Sequence, residues 1–265
     1  METIVKGKRS ADEGTEAVTR TADVLLLFLT GSATLGVSEI ARRLDISKAV
    51  VHRILRSLLS RDFVAFDTKQ RKYRLGPAAA ALGAHALRDL DLRQLALPLL
   101  RHLQQETAET AVVVALVGTS FAFLDQVPSL QEIKMTVEVG RLFPLNAGAS
   151  GKAVLAFASP DLRQRFFSEP LPALTTQTKV SSMDLESDLE RITRDGVVIS
   201  FGERQPGACS VAAPIFGVDG YAVGAICVCG PLGRFSSEKI ARFIPLVKDT
   251  THTISLQLGW NGTFP

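Results

Sequence analysis

The stretch Val37–Val64 reads VSEIARRLDISKAVVHRILRSLLSRDFV, two apolar-periodic segments separated by a short break at Asp45–Ser47. In the first segment Val37, Ile40, Ala41 and Leu44 fall at i, i+3, i+4 and i+7, which is one face of a helix. Ser38 and Glu39 give that helix a polar start. Ser47 ends the break with a hydroxyl suited to cap a following helix. That second helix is expected from about Lys48 to Ser60, burying Val51, Ile54, Leu55 and Leu58. Its opposite face then carries Ala49, Arg53 and Arg56, flanked by Val50 and His52. An apolar inner stripe with a basic outer face is what a helix lying in the DNA major groove requires, because the inner side anchors it and the outer side meets base edges and phosphates.

A solvated basic face would explain this helix alone, so the surrounding chain decides. Upstream, AVTRTADVLLLFLT (17–30) is a third helix, expected to stop at Gly31. Downstream, FVAFDTKQRKYRLG (63–76) reads as two short strands around a polar turn at Asp67–Gln70, with Tyr73 facing the core. Three helices followed by a basic hairpin make a winged helix-turn-helix over residues 17–76. Residues 1–76 carry 14 Lys and Arg against 9 Asp and Glu, a balance of +5, whereas the rest carries 16 against 18, a balance of −2. A basic front on a near-neutral body favours a polyanion partner for the front alone. Arg53 is placed to read guanine, Ala49 and Val50 to meet a thymine methyl, and Ser47, Lys48, His52 and Arg56 to contact the same site. Lys69, Arg71 and Lys72 in the wing are expected on phosphates.

Hydrophobic residues make up 46 % of the 265-residue chain, a globular composition. The longest apolar runs, VLLLFL and AVVVALVG, stop well short of the 18 or so residues of a membrane span. The first 16 residues lack an apolar core and read as a disordered leader, not a signal peptide. Three cysteines, Cys209, Cys227 and Cys229, with no export signal imply free thiols and a cytoplasmic protein.

After the wing, PAAAALGAHALRDLDL (77–92) is expected as a linker helix, and residues 93–265 as a second domain. There LRQLALPLLRHLQQETAE is helical, and TAVVVALVGTSFAFLDQVP gives two strands around Gly118–Ser120. EIKMTVEVG (132–140) reads as a further strand. GKAVLAFASPDLRQRFF and SMDLESDLERITRDG are helices. VVISFGE, ACSVAAPIFG and YAVGAICVCG are strands, and SSEKIARFIPLVKDTTHTISLQLG (236–259) is a closing helix. Strands followed by long helices imply an α+β domain with a mostly antiparallel sheet. NAGASGKAVLAF is a Gly/Ala/Ser loop entering an amphipathic helix; it is either a tight turn or, through its free N–H groups, a site for an anion. Cys227 and Cys229, two apart on a strand, point to one side. His52, His85, His102 and His252 are scattered over helices, so no metal site is expected.

SEIARRLDISKAVVHRILRSLLSRDFVAFD with RKYRLG resembles the DNA-binding domain of the isocitrate lyase regulator (IclR) family of bacterial transcription factors. The likeness continues through LDLRQLALPLLRHLQQETAETAVVVAL, RLFPLNAGASGKAVLAFA, ITRDGVVISFGERQPGACSVAAPIFGVDGYAVGAICVCGP and the final helix. It implies a C-terminal domain similar to GAF and PAS domains that senses a small organic or aromatic acid, without a cofactor. Carried over by position, the effector would lie near Ala149, Ser150, Ser200, Ser210, Cys227 and Cys229, with Met135, Phe143 and Ala208 as apolar walls. The family commonly has Ser-Thr where this chain has Ala49-Val50, His at Asn146, and acidic residues within ISFGE; a better-studied branch has Asp at Ser200. Arg141 and Arg204 are candidate counter-charges that also read as surface residues.

The resemblance implies a homodimer, or a dimer of dimers, on a palindromic operator, acting as repressor of a neighbouring catabolic operon. Two other readings stand beside it. One is a thiol-based redox regulator using Cys227 and Cys229. The other is an enzyme carrying a DNA-binding head, for which no nucleophile and base converge in the sequence.

Overall fold

The computed structural model describes residues 16–30, 32–88 and 91–263. Residues 1–15 of the expected leader, Gly31, the side chain of His85 and residues 89–90 of the expected linker lie outside the described residues. The chain divides into two compact units, one reaching to Leu90 and the other beginning at Asp91.

The first unit contains α1 (Glu16–Leu27), α2 (Val37–Leu44), α3 (Lys48–Leu59), β1 (Val64–Asp67), β2 (Lys72–Leu75) and α4 (Pro77–Arg88). Glu16, expected in the leader, instead opens α1. Ile40 of α2 and Val51, Leu55 and Leu58 of α3 meet Val24 and Leu27 of α1 in a core that also takes Leu35 and Val64. The break between α2 and α3 is closed by Asp45, which takes a left-handed φ of 56° and returns its N–H to the carbonyl of Ala41. Ser47 then caps α3, its Oγ accepting from the Val50 N–H at 3.3 Å. The wing turn has no glycine because Asp67 performs the closure: its Oδ1 accepts from the N–H groups of Lys69 (2.8 Å) and Gln70 (3.0 Å), an Asx-type turn. Arg71 supplies the left-handed residue, at φ 52°. Leu35 adds a one-residue bridge to Tyr73, with both N–H···O contacts at 2.8 Å.

The second unit contains α5 (Asp91–Thr107), β3 (Thr110–Val117), β4 (Ser120–Val127), β5 (Leu142–Pro144), α6 (Gly148–Ala156), α7 (Pro160–Phe167), α8 (Ser182–Asp195), β6 (Val198–Phe201), β7 (Ala208–Phe216), β8 (Ala222–Pro231) and α9 (Ser237–Gln257). Its six strands pair in the order β5-β4-β3-β8-β7-β6, every pair antiparallel. Both faces of the sheet are covered. Val112, Val114, Ala212, Ala225, Cys227 and Cys229 face α6, α7 and α8. Val113, Val211, Ala213, Ile226, Val228 and Cys209 face α5 and α9. Side chains that alternate along each strand therefore enter two separate cores.

Several expected elements differ. Residues 132–140 form no strand, although Ile133, Met135, Val137 and Val139 alternate; Ile133 and Val139 are exposed. The backbone of Val137 finds its partner in a side chain: Gln126 donates from Nε2 to its carbonyl (2.8 Å) and accepts its N–H on Oε1 (2.9 Å). The expected helix over 151–167 is two, because Ser159 caps a new helix at Leu162 N–H and Pro160 occupies its first turn, a combination that restarts a helix. The helix entered by NAGASG is not amphipathic; every residue from Gly148 to Ala156 is buried.

Leu55 is fully buried, so Leu55→Ala is expected to lower the stability of the first unit by about 2–5 kcal/mol. The exposed Arg56→Ala should stay within about 0.5 kcal/mol of the parent. Urea denaturation followed by circular dichroism measures both; equal midpoints for the two variants would contradict this packing.

Candidate functional site

In the first unit the surface opposite the α3 core is cationic. Ser47, Lys48, Ala49, His52, Arg53, Arg56, Lys69 and Arg71 are exposed, while Val50 and Lys72 are half-buried. Val50 packs in part against the core, which limits what it offers to a groove. The Ser47 hydroxyl is engaged in capping. Among the described residues Lys48, Arg53, Arg56, Lys69, Arg71 and Lys72 make no ion pair. Arg43 on α2 is by contrast held by Glu39 and by the Thr30 hydroxyl, at 2.8 Å from the latter. The unpaired charge thus gathers on α3 and the wing, where a polyanion can displace its counterions.

In the second unit the strand register assembles a polar line. Thr110 pairs with Cys229, Cys229 with Ser210, and Ser210 with Ser200. One step along, Val112, Cys227, Ala212 and Val198 form the apolar line beside it. The loop at Gly202–Gln205 and the start of α6 close over this end of the sheet, leaving a narrow recess, partly open to solvent, whose cavity volume is about 20 Å³, room for about one water molecule. Ala149, Ser150, Ser200, Ala208, Ser210, Cys227 and Cys229 line it. Met135 and Phe143 do not. Phe143 stands behind the wall, with ring centroids 5.7 Å from Phe121 and 5.5 Å from Phe123. Met135 packs half-buried against the same core, and its carbonyl accepts from the Thr110 hydroxyl at 2.6 Å.

Two charged residues complete the recess. Arg204 lines it, with its guanidinium 5.2 Å from the ring centroids of both Phe123 and Phe143, a cation–π arrangement. It makes no ion pair among the described residues. Burial pulls its pKa down and the nearby Arg141 adds to this, while the thiols of Cys229 and Cys227 oppose the shift. Arg141 itself is tied to Glu138 at 3.1 Å. The second residue is Glu203, whose Oε2 accepts from the Gly148 N–H at 3.2 Å and whose Oε1 pairs with buried Lys152 at 2.5 Å. The start of α6, which the sequence left open as a tight turn or an anion site, already holds an internal anion. Lys152 also reaches Asp188 at 3.2 Å, and Lys179 (2.8 Å) and Arg191 (3.0 Å) share that carboxylate. The sequence signal for this network was a single lysine within a run of small and apolar residues.

The thiols fall on different sides. Cys209 lies on the α5/α9 face, and its pKa is pushed up to about 12, by burial first and by Cys227 second. Cys227 and Cys229 interact in the recess. The hydrogen bond from Cys229 lowers Cys227, with Ser150, Arg204 and Ser210 acting in the same direction against burial. Cys229 is correspondingly raised, by that bond and by burial. All three cysteines are free, and among the described residues no three metal-ligating side chains stand together.

Asn146, where the family has His, is fully buried; its Nδ2 donates to the carbonyls of Pro172 (3.0 Å) and Lys179 (2.8 Å).

A winged helix-turn-helix with a free cationic face, joined to a second unit that encloses a recess, defines a DNA-binding transcriptional regulator. Residues 17–68 match the IclR helix-turn-helix domain, and residues 84–256 match the C-terminal domain of bacterial IclR transcriptional regulators. The chain belongs to the IclR family. It is 34 % identical over 243 residues to the HTH-type transcriptional regulator BhcR of Paracoccus denitrificans, covering 91 % of this chain and 87 % of that one. It is 28 % identical over 250 residues to the HTH-type transcriptional repressor AllR of Escherichia coli K12, covering 94 % and 92 %. The crystal structure of an IclR regulator from a Silicibacter species superposes with a TM-score of 0.82 at 28 % identity, covering 94 % of this chain and 99 % of the other. An IclR homologue from Microbacterium hydrocarbonoxydans, complexed with 4-hydroxybenzoate, superposes with a TM-score of 0.69 at 25 % identity, covering 92 % and 99 %. No helix among the described residues is long and apolar enough to cross a membrane.

Burial alone would raise the Asp188 carboxyl, but Lys179, Lys152 and Arg191 hold it at about 2 against an ordinary value of 3.8. A carboxylate depressed on folding stabilises above its unfolded pKa, and that contribution is lost as pH falls through the folded pKa. Asp188 is thus expected to add about 2 kcal/mol above pH 4, disappearing towards pH 2. Asp188→Asn should lower stability at neutral pH and flatten the acid limb of the stability profile; an unchanged limb in thermal melts between pH 2 and 5 would contradict the network.

Proposed function

We propose that this chain is a homodimeric regulator in which residues 17–76 bind a palindromic operator and residues 93–265 sense a small organic or aromatic acid, with 77–92 linking them. On this reading it is cytoplasmic and represses a neighbouring catabolic operon until the acid arrives. The observation that carries the sensing role is Arg204: a guanidinium lining the recess with no carboxylate among the described residues to neutralise it. An acid's carboxylate supplies that partner, and Ser150, Ser200 and Ser210 supply hydroxyls around it. The IclR homologue complexed with 4-hydroxybenzoate supports the same class of ligand. A non-enzymatic role is favoured by the make-up of the recess. It holds no histidine, and its one carboxylate, Glu203, is engaged by Lys152 and Gly148.

The acid acts on DNA binding only to the extent that it binds one arrangement of the dimer better than another. Two symmetry-related α3 helices reading two half-sites would make the spacing of those half-sites a property of the dimer.

Arg53→Ala is expected to weaken binding to DNA selected by the parent protein from a random duplex pool by about 1–3 kcal/mol. Gel-shift titration measures this, and unaltered affinity would remove Arg53 from the reading surface. Arg204→Leu is expected to abolish the thermal stabilisation of the protein by small carboxylic acids while leaving operator affinity intact. Persistence of the acid-induced shift in that variant would place the ligand elsewhere.

A further inference from the structure

The recess is not the roomiest cavity of the second unit. A larger one, of about 350 Å³ and open to solvent, lies at the other end of β7 and shares no lining residue with the recess. Its size falls within the range of small-molecule pockets, roughly 300–1,000 Å³. The floor is aromatic. Phe216, the last residue of β7, stacks on Trp260 with ring centroids 4.7 Å apart, and Phe157 meets Phe216 edge-on at 5.2 Å. His252 meets Trp260 edge-on at 5.6 Å. The indole N–H of Trp260 donates to the carbonyl of Thr263 at 2.7 Å, leaving its ring as apolar wall. The rim, by contrast, carries both signs of charge. Arg194 and Asp195 end α8, and Lys248 and Asp249 stand side by side on α9. Lys248 donates to the backbone carbonyl of Asp195 at 3.1 Å, which fixes the ammonium at the mouth without neutralising it. Among the described residues none of these four makes an ion pair.

We propose that this cavity binds a free aromatic amino acid, with its ring against Phe157, Phe216 and Trp260 and its zwitterionic end at the charged rim. An α-amino acid carries its ammonium and carboxylate on one carbon, and each of the two helices offers a cation and a carboxylate on adjacent residues. Lys248 and Arg194 take the ligand's carboxylate; Asp249 and Asp195 take its ammonium, helped by the negative pole at the carboxyl end of α8. The floor accepts a further ring in the edge-to-face or offset contacts that aromatic clusters favour. An aromatic acid without an amine would leave two carboxylates unmatched, and an aromatic amine would leave two cations so. An aliphatic amino acid would satisfy the rim and waste the floor. The site is separate from the acid-sensing recess and does not rest on that reading; it gives the regulator a second small-molecule input.

Trp260 is the single tryptophan of the chain, so its fluorescence reports on this cavity. In the full-length protein L-phenylalanine is expected to change that emission saturably, and equally in Arg204→Leu, which separates the cavity from the recess. 3-Phenylpropionate, which lacks the ammonium, and 2-phenylethylamine, which lacks the carboxylate, should each bind about fivefold or more weakly. L-Alanine, which lacks the ring, should give no saturable change. Lys248→Met should lose most of the preference for L-phenylalanine over 2-phenylethylamine, and Asp249→Asn most of the preference over 3-phenylpropionate. Each variant should still bind the less favoured probe with the parent's affinity, which also shows that it is folded. Failure of L-phenylalanine, L-tyrosine and L-tryptophan alike to bind in calorimetry would overturn the proposal and leave acid sensing by the recess untouched. Binding of 3-phenylpropionate or 2-phenylethylamine as tight as that of L-phenylalanine would overturn it too, as would preferences unaltered in both rim variants. A response lost in Arg204→Leu but kept in Lys248→Met would move the ligand to the recess.

Discussion

A sheet buried on both faces has no tolerance for slippage. In this antiparallel sheet a shift of one residue would carry every side chain of a strand to the opposite core. On β8 that shift would exchange Cys227 and Cys229 with Ile226 and Val228, emptying the recess of thiols and filling it with branched hydrocarbon. The register is held by close approach as much as by hydrogen bonds. Gly224 on β8 lies so near the carbonyl of Val114 on β3 that an added Cβ would collide with it, and Leu92 crowds the same spot. Position 224 can therefore pair only where its neighbour leaves room for a residue without a side chain. The polar line of Ser200, Ser210, Cys229 and Thr110 follows from that alignment of four strands.

The second constraint is electrostatic. Lys152 sits on a helix with no exposed residue, and a buried ammonium is tolerable only when paired and hydrogen-bonded. Glu203 and Asp188 meet that demand, and in doing so Glu203 is drawn onto the N–H of Gly148. The start of α6 is thereby neutralised from within. Arg204, the next residue along the loop, is left as the cation of the recess, without a paired carboxylate among the described residues. One buried pair thus fixes both what the recess does not offer, a bare helix terminus, and what it does.

The first unit was legible in the sequence almost residue by residue, since its helices are amphipathic and each buries one stripe. Val51, Ile54, Leu55 and Leu58 could be assigned to the core from spacing alone. The wing turn was legible in position but not in mechanism, because Asp67 and Arg71 replace the glycine that usually marks such turns. In the second unit the two-residue alternation placed Cys227 and Cys229 on one face, but alternation misled over 132–140. There Gln126 supplies from its side chain the pairing that a neighbouring strand would give, and the segment needs no ladder. The three-residue β5 is too short to leave a pattern. Arg204 was legible as a candidate counter-charge, but Glu203 was hidden, because only the fold brings its polar loop over the sheet. Its partners lie 51 and 55 positions away, at Lys152 and Gly148, beyond any local reading.

The outer strands of the sheet have a consequence for how this protein keeps company with others. On one margin β5 has three residues and ends in Pro144; on the other β6 has four. An open row of unpaired backbone groups is a template on which a further strand can add, and short or proline-bearing margins blunt it. Strand-by-strand growth into fibrils has little to build on at either margin. Chains that meet through this unit must recognise one another by their side chains, which leaves association under the control of sequence and not of the backbone that all proteins share.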